Sequence, residues 1–321
     1  MGPQIDPSTR SATESADLGD VPLLLPDHLA SVSNTDPSAA LEAAVDDSER
    51  LRDLQKPVDG PTRLFVKGAG DAAAIDANDV RQGQLGDCYL LGSLGALAKE
   101  DPRVIRDMVH ENKDAVGNVT SYAVDLYQRR PPLDQLAKVS VTVSAKELSN
   151  AAARFGDTDA AGNHEVWVKV IEKAYAQLNG GYSKIAGGHP AAAMEALTGL
   201  PATERWASGY SFDQLQRDLA AGRPVCLTTV PAGDTGPSFD KLKLRASHCY
   251  TVIDCKLESG QPMVRLANPW GDRHPGVRSD GWLPYAEVTN GHSFAGVDVG
   301  ADKSSIILRD TIDAARAFWK A

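Results

Sequence analysis

Cys88, His248 and Asn268 stand where each has the chemistry to take part in attack on a carbonyl. Cys88 lies in Gln82-Gly83-Gln84-Leu85-Gly86-Asp87-Cys88-Tyr89-Leu90-Leu91, at the junction of a glycine-containing turn and an apolar run. A thiol at a helix N-terminus gains unpaired N–H groups and a partial positive charge, and both favour the thiolate. The same N–H groups can hold an oxyanion, and the Gln82 side-chain amide, six residues upstream, offers a second donor. His248 opens Ser247-His248-Cys249-Tyr250-Thr251-Val252-Ile253, and Asn268 lies in Arg265-Leu266-Ala267-Asn268-Pro269-Trp270-Gly271. A histidine beside a thiol serves as general base, and an amide that accepts its ring N–H keeps it in one tautomer.

These residues need elements to hold them. Leu90, Leu91, Leu94, Leu97 and Ala98 recur at helical spacing, so Cys88 starts a buried helix with Asp87 as its cap. Pro102 begins a second helix, and Val166 to Leu178 a third that stops at Asn179-Gly180-Gly181. Leu64–Val66, Tyr122–Tyr127 and Lys138–Val143 read as strands. After a helix over Phe212–Ala221, the segments Val225–Val230, His248–Cys255, Met263–Ala267 and Ser305–Leu308 read as strands of an antiparallel sheet or barrel, and Asp310–Lys320 as a closing helix with Trp319 inward. The expected division is an acidic segment over 1–60, a helical lobe with the nucleophile over 61–200, and a β-rich lobe with His and Asn over 201–321. The class is α+β, with the site in a cleft between lobes.

The chain has 321 residues and a net charge of −10. Residues 1–60 hold 12 acidic and 4 basic side chains, a balance of −8, so the remainder is close to neutral. No basic stripe points to nucleic acid, and no apolar run is long enough to cross a bilayer. The N-terminus has no basic region followed by an apolar stretch, so the expectation is a cytoplasmic protein or one exported by a non-classical route. Residues 1–60 lack the apolar content for a core, apart from Val21–Pro26, and read as a disordered or loosely docked arm with one amphipathic helix over Leu41–Leu54. Cys88, Cys226, Cys249 and Cys255 show no disulfide framework and no zinc spacing, so reduced thiols are expected.

The three segments, with a fourth over Trp167–Gly199 that contains Glu172-Lys173-Ala174-Tyr175-Ala176, Asn179-Gly180-Gly181-Tyr182 and Gly187-Gly188, resemble the protease core of the calpains. The likeness follows their Gln-Gly-x-Leu-Gly-Asp-Cys, Gly-His-Ala-Tyr and Asn-Pro-Trp-Gly blocks in order. It implies a papain-like two-lobe fold and an endopeptidase with Cys88 as nucleophile, His248 as base and acid, and Asn268 as orienting group. It also implies an oxyanion hole from Gln82 and the Cys88 N–H, and Trp270 covering the His–Asn hydrogen bond. Tyr89 replaces the usual tryptophan, and Cys249 stands where a small residue is usual, pointing away from His248 by strand alternation. The short architecture and alanine-rich composition suggest a bacterial member.

His189, in the matched glycine-rich block, is the serious rival to His248. Calcium is the other question the resemblance raises. No EF-hand loop is present, Ser183 stands where calcium-binding members carry glutamate, and Gly271–Asp280 has few carboxylates against calcium's six to eight oxygen ligands. The expectation is therefore no cofactor and no calcium requirement. Peptide or protein is the expected substrate, and the sequence leaves oligomeric state open. An acyl-transferase or deamidase with the same three residues, and a non-catalytic binding domain of the same fold, are the alternatives.

Overall fold

The computed structural model describes residues 61–68, 73–132, 134–271 and 281–320. The acidic segment 1–60, its helix over Leu41–Leu54, most of the loop Gly271–Asp280 and the side chain of Trp319 lie outside the described residues.

Helix α1 (Cys88–Glu100) is the axis of the molecule, and every residue from Tyr89 to Ala98 is buried. A helix apolar all round belongs in a core rather than on a surface. Leu90, Leu91, Leu94 and Leu97 are fully buried, each side chain contributing about 1.5–3 kcal/mol relative to exposure. Helix α2 (Pro102–Met108) follows, with Pro102 at its first turn and Asp101 accepting from the Arg103 N–H.

Strands β2 (Val109–Lys113), β3 (Val119–Arg130) and β4 (Gln135–Ser144) form an antiparallel three-stranded sheet. A short parallel pair joins β1 (Thr62–Arg63) to β5 (His164–Glu165) and leads into α3 (Trp167–Leu178). The strand expected at Leu64–Val66 thus lies just before it. Leu64 and Val66 instead bury their side chains from the irregular segment that follows β1.

After α4 (Pro190–Thr198) comes a six-stranded antiparallel sheet. It is built from β6 (Thr203–Trp206), β7 (Val225–Thr229), β8 (Cys249–Glu258), β9 (Gln261–Ala267), β10 (Trp282–Pro284) and β11 (Phe294–Val299), in the order β10-β9-β8-β7-β11-β6. Helix α5 (Phe212–Ala220) connects β6 to β7, and the short α6 (Ala286–Thr289) lies between β10 and β11. Ser305–Leu308, expected as a strand, instead lies in the first two turns of α7 (Lys303–Lys320). Asp302 starts that helix by accepting from the Ser305 N–H at 2.9 Å, a cap that four residues of alternation do not reveal. The fold is α+β and papain-like, with Cys88 at the start of the central helix, His248 directly before β8 and Asn268 directly after β9 of the large sheet.

Two glycines bring helix and sheet together. A Cβ on Gly92 would stand 2.8 Å from Cys249 Sγ, and one on Gly95 would stand 2.8 Å from Thr251 Oγ1. Their absence lets α1 rest directly on β8, where Thr251 Oγ1 donates to the Gly92 carbonyl at 2.7 Å. On the α4 side, Ser93 Oγ reaches the Pro190 carbonyl at 3.2 Å. The helix that starts at Cys88 is therefore set by contacts to both halves of the molecule.

Candidate active site

The turn before Cys88 is pinned at several points. A Cβ on Gly83 would lie 1.8 Å from the Ala152 carbonyl oxygen, so only glycine lets the turn pass that close. The Gln82 N–H donates to the Pro269 carbonyl at 2.7 Å. Cys88 is the first residue of α1, and its thiol is met by the backbone N–H of Cys249, the residue after His248. Burial is the dominant influence on that thiol and pushes it up to about 11, while the neighbouring N–H groups pull the other way. The helix N-terminus therefore does not by itself give a low-pKa thiol here.

His248 enters β8 through Ser247, a non-glycine residue in the left-handed region with φ of 50°. Thr229 holds its backbone on both sides, with Oγ1 accepting from the His248 N–H at 2.9 Å and the Thr229 N–H donating to the His248 carbonyl at 2.9 Å. β8 and β9 pair with Thr251 opposite Ala267. Continuing that register brings Asn268 and Trp270 alongside Tyr250 and His248. His248 Nε2 lies 2.9 Å from Asn268 Oδ1, and Oδ1 also accepts from the Trp270 N–H at 3.0 Å.

The Trp270 N–H fixes which end of the amide is oxygen, so Nε2 carries the proton and Nδ1 is left as the basic nitrogen. The Trp270 ring stands 4.7 Å from the imidazole and the Tyr250 ring 5.0 Å, the latter edge-on. His248 is buried, which pushes its imidazolium down to about 4, with the Arg245 charge adding to the effect and the Asn268 bond opposing it. Burial thus disfavours the charged form of both the thiol and the imidazole.

Gln82 differs from expectation. Its Nε2 donates to the Leu85 carbonyl at 2.6 Å and to Asp87 Oδ1 at 3.2 Å, and the side chain is buried. Exchanging its amide ends would set oxygen against the Leu85 carbonyl, so in this structure the amide nitrogen braces the turn. Asp87 differs too. It occupies the cap position without a side-chain cap bond. Its carboxyl instead meets that of Glu172, and burial with the paired charge holds it well above the usual carboxylate range.

Glu172 is also raised by burial, and its Oε2 accepts from the Ala153 N–H at 2.9 Å and the Tyr182 hydroxyl at 3.3 Å. Asp87 Oδ2 and Glu172 Oε1 are otherwise without a donor, so the pair shares a proton. Lys169, lowered to about 8 by burial, donates to the Ala151 and Ala153 carbonyls at 3.2 and 2.5 Å. This polar group behind the nucleophile was missed in the sequence. Glu172 stood in a matched block, but nothing in the spacing joined it to Asp87.

The remaining candidates are placed elsewhere. His189 precedes α4 and pairs with Glu204 Oε1 at 3.3 Å, with its ring half exposed. Cys226 and Cys249 are buried thiols facing each other, and Cys255 is part-buried. Among the described residues no three His, Cys, Asp or Glu side chains converge as a metal site. Asp79 and Glu165 face each other as a buried acid pair, with burial and the Asp79 charge pushing Glu165 to about 9. Two carboxyls by themselves fall well short of the six to eight oxygen ligands that calcium takes. Among the described residues, no helix is long and apolar enough to cross a membrane.

A family model described as calpain family cysteine protease matches residues 59–294. Mouse calpain-9 (Mus musculus) is 29% identical over 201 residues, covering 60% of this chain and 28% of that protein. The calpain-1 catalytic subunit of Sus scrofa is 27% identical over 238 residues, covering 69% of this chain and 31% of that protein. Mouse calpain-8 is 26% identical over 220 residues, covering 66% and 30%. The chain therefore matches less than a third of the length of these curated relatives.

Proposed function

Since the chain belongs to the calpain family of cysteine proteases, we propose that it is an endopeptidase whose catalytic groups are Cys88, His248 and Asn268. The observation that carries this reading is the 2.9 Å contact of His248 Nε2 with Asn268 Oδ1, which leaves Nδ1 unprotonated beside the strand whose next N–H meets the Cys88 thiol.

In the reaction, Nδ1 takes the thiol proton as sulfur bonds to the carbonyl carbon of the scissile peptide. Burial disfavours the charged form of each group, so charge separation accompanies formation of that bond. The oxyanion is met by the Cys88 N–H at the start of α1. The Gln82 amide joins it by releasing the Leu85 carbonyl. Imidazolium then protonates the leaving amine, the C–N bond breaks, and an acyl-thioester remains. His248 next takes a proton from water as the water oxygen attacks the thioester carbonyl. The C–S bond then breaks, the carboxylic acid leaves, and the imidazolium returns its proton to sulfur. Trp270 and Tyr250 keep bulk water from the His–Asn bond.

The substrate is protein or peptide, and the reaction needs no calcium. The support for the latter is the donor set, with Ser183 in a short turn and the buried Asp79 and Glu165 occupied with each other.

Labelling by a peptidyl epoxide in chelator and in calcium, with the adduct mapped, tests the assignment. Label on Cys88 that is lost in His248→Ala and indifferent to calcium is the expected result. Label elsewhere, or label only with calcium, overturns it. Product analysis with an added primary amine separates hydrolysis from acyl transfer, and ammonia release from glutamine peptides would reveal deamidation.

A further inference from the structure

Residues 151–154 form a strap under the nucleophile turn. Lys169 holds the carbonyls of Ala151 and Ala153, and Glu172 holds the Ala153 N–H. The Ala152 carbonyl presses on Gly83. The strap is thus fixed to α3 below and to the turn above. Its last residue, Arg154, bonds its own N–H to the Arg81 carbonyl at 2.8 Å. Its guanidinium then spans two segments, with Nε donating to the Gln82 carbonyl at 2.9 Å and Nη2 to the Trp270 carbonyl at 2.5 Å. Gln82 belongs to the turn that presents Cys88, and Trp270 to the turn that presents Asn268.

We infer that Arg154 is a positioning residue that sets the nucleophile turn against the His–Asn turn. The inference rests on the reading of Cys88, His248 and Asn268 given above. A guanidinium suits the task because it is always charged and its N–H groups diverge from a rigid plane, so one side chain fixes the separation of two carbonyls. A lysine has three donors on one freely rotating nitrogen, so it can touch two carbonyls but lacks the rigid fork that sets their separation. The Gln82–Pro269 bond links the same turns once, and Arg154 adds two further constraints from a third segment. The geometry matters because a displacement of about 1 Å between reacting groups can cost on the order of 100-fold in rate.

The test compares the full chain with Arg154→Gln and Arg154→Lys. The readouts are kcat and KM on a peptide, the rate of Cys88 labelling by a peptidyl epoxide, and hydrogen exchange over 81–88 and 265–271. Arg154→Gln is expected to lose at least about tenfold in kcat and labelling rate with KM little changed. Exchange should quicken in both turns together, and added methylguanidine should restore part of the rate. Arg154→Lys should fall between. Unchanged exchange in the two turns would overturn the inference. So would a rate loss that tracks global destabilisation and does not respond to methylguanidine. If the wild-type chain neither cleaves nor labels, the protease reading fails, and exchange in the two turns alone decides the role of Arg154.

Discussion

The Gln82 N–H donates to the Pro269 carbonyl at 2.7 Å, so the turn carrying Cys88 and the turn carrying Asn268 are hydrogen-bonded to each other directly. Gln82 lies six positions before Cys88, and Pro269 follows Asn268 directly. Little free backbone is left in which the candidate nucleophile and the orienting amide can drift apart.

Asn268→Ala leaves the Nε2 proton of His248 and the Trp270 N–H without their shared acceptor. The imidazole then loses its fixed tautomer. Peptidase kcat should fall by about 10²–10⁴-fold, the usual worth of a positioned general base. Steady-state kinetics check this. Iodoacetamide alkylation of Cys88, which needs no oriented base, should change far less.

Ser247 sits at φ of 50° immediately before His248. A non-glycine residue held there costs on the order of 1 kcal/mol. Ser247→Gly should raise stability modestly, and Ser247→Val should lower it by more than Ser247→Gly raises it, since a β-branched residue fits that region worst. Urea midpoints of the three proteins measure both.

His248 titrates at about 4 in the folded protein against 6.5 as its ordinary value, because burial disfavours the imidazolium. Between those limits the unfolded chain binds the extra proton. The stabilising contribution is therefore complete above about pH 6.5 and is lost as pH falls toward 4. The displacement corresponds to about 3 kcal/mol. Between pH 7 and 4.5 the wild type should lose more stability than His248→Gln, as read from urea midpoints at each pH.

Asp87 and Glu172 have the opposite sign. Both are raised by burial, so the folded pair keeps a proton that the unfolded chain releases above the ordinary carboxylate range. Stability falls as pH rises past that range. Glu172→Gln carries its hydrogen permanently, so its stability relative to wild type should improve from pH 5 to 7.5. That window stays below about 8, where Lys169 begins to titrate in the folded state with the contrary effect. Denaturant unfolding across the window checks the slope.

The identities and neighbourhoods of Cys88, His248 and Asn268 were legible along the chain because helix and strand periodicities are local. The apolar spacing after Cys88 gave a buried helix, and alternation placed Cys249 on the face opposite His248, where its sulfur meets Gly92. Four alternating residues at Ser305–Leu308 were too few to separate strand from helix, and there a side-chain cap from Asp302 decided.

Only tertiary structure decided the rest. It turned the Gln82 amide onto Leu85 and Asp87, set the Asp87 carboxyl against Glu172, and aimed Arg154 at carbonyls 72 and 116 residues away in the chain. It also raised the Cys88 thiol where the helix terminus alone argued for lowering it. Spacing along a chain records which neighbours share a face. It carries no record of which distant polar groups will be shut away from water together, and that burial sets both their hydrogen bonds and their protons.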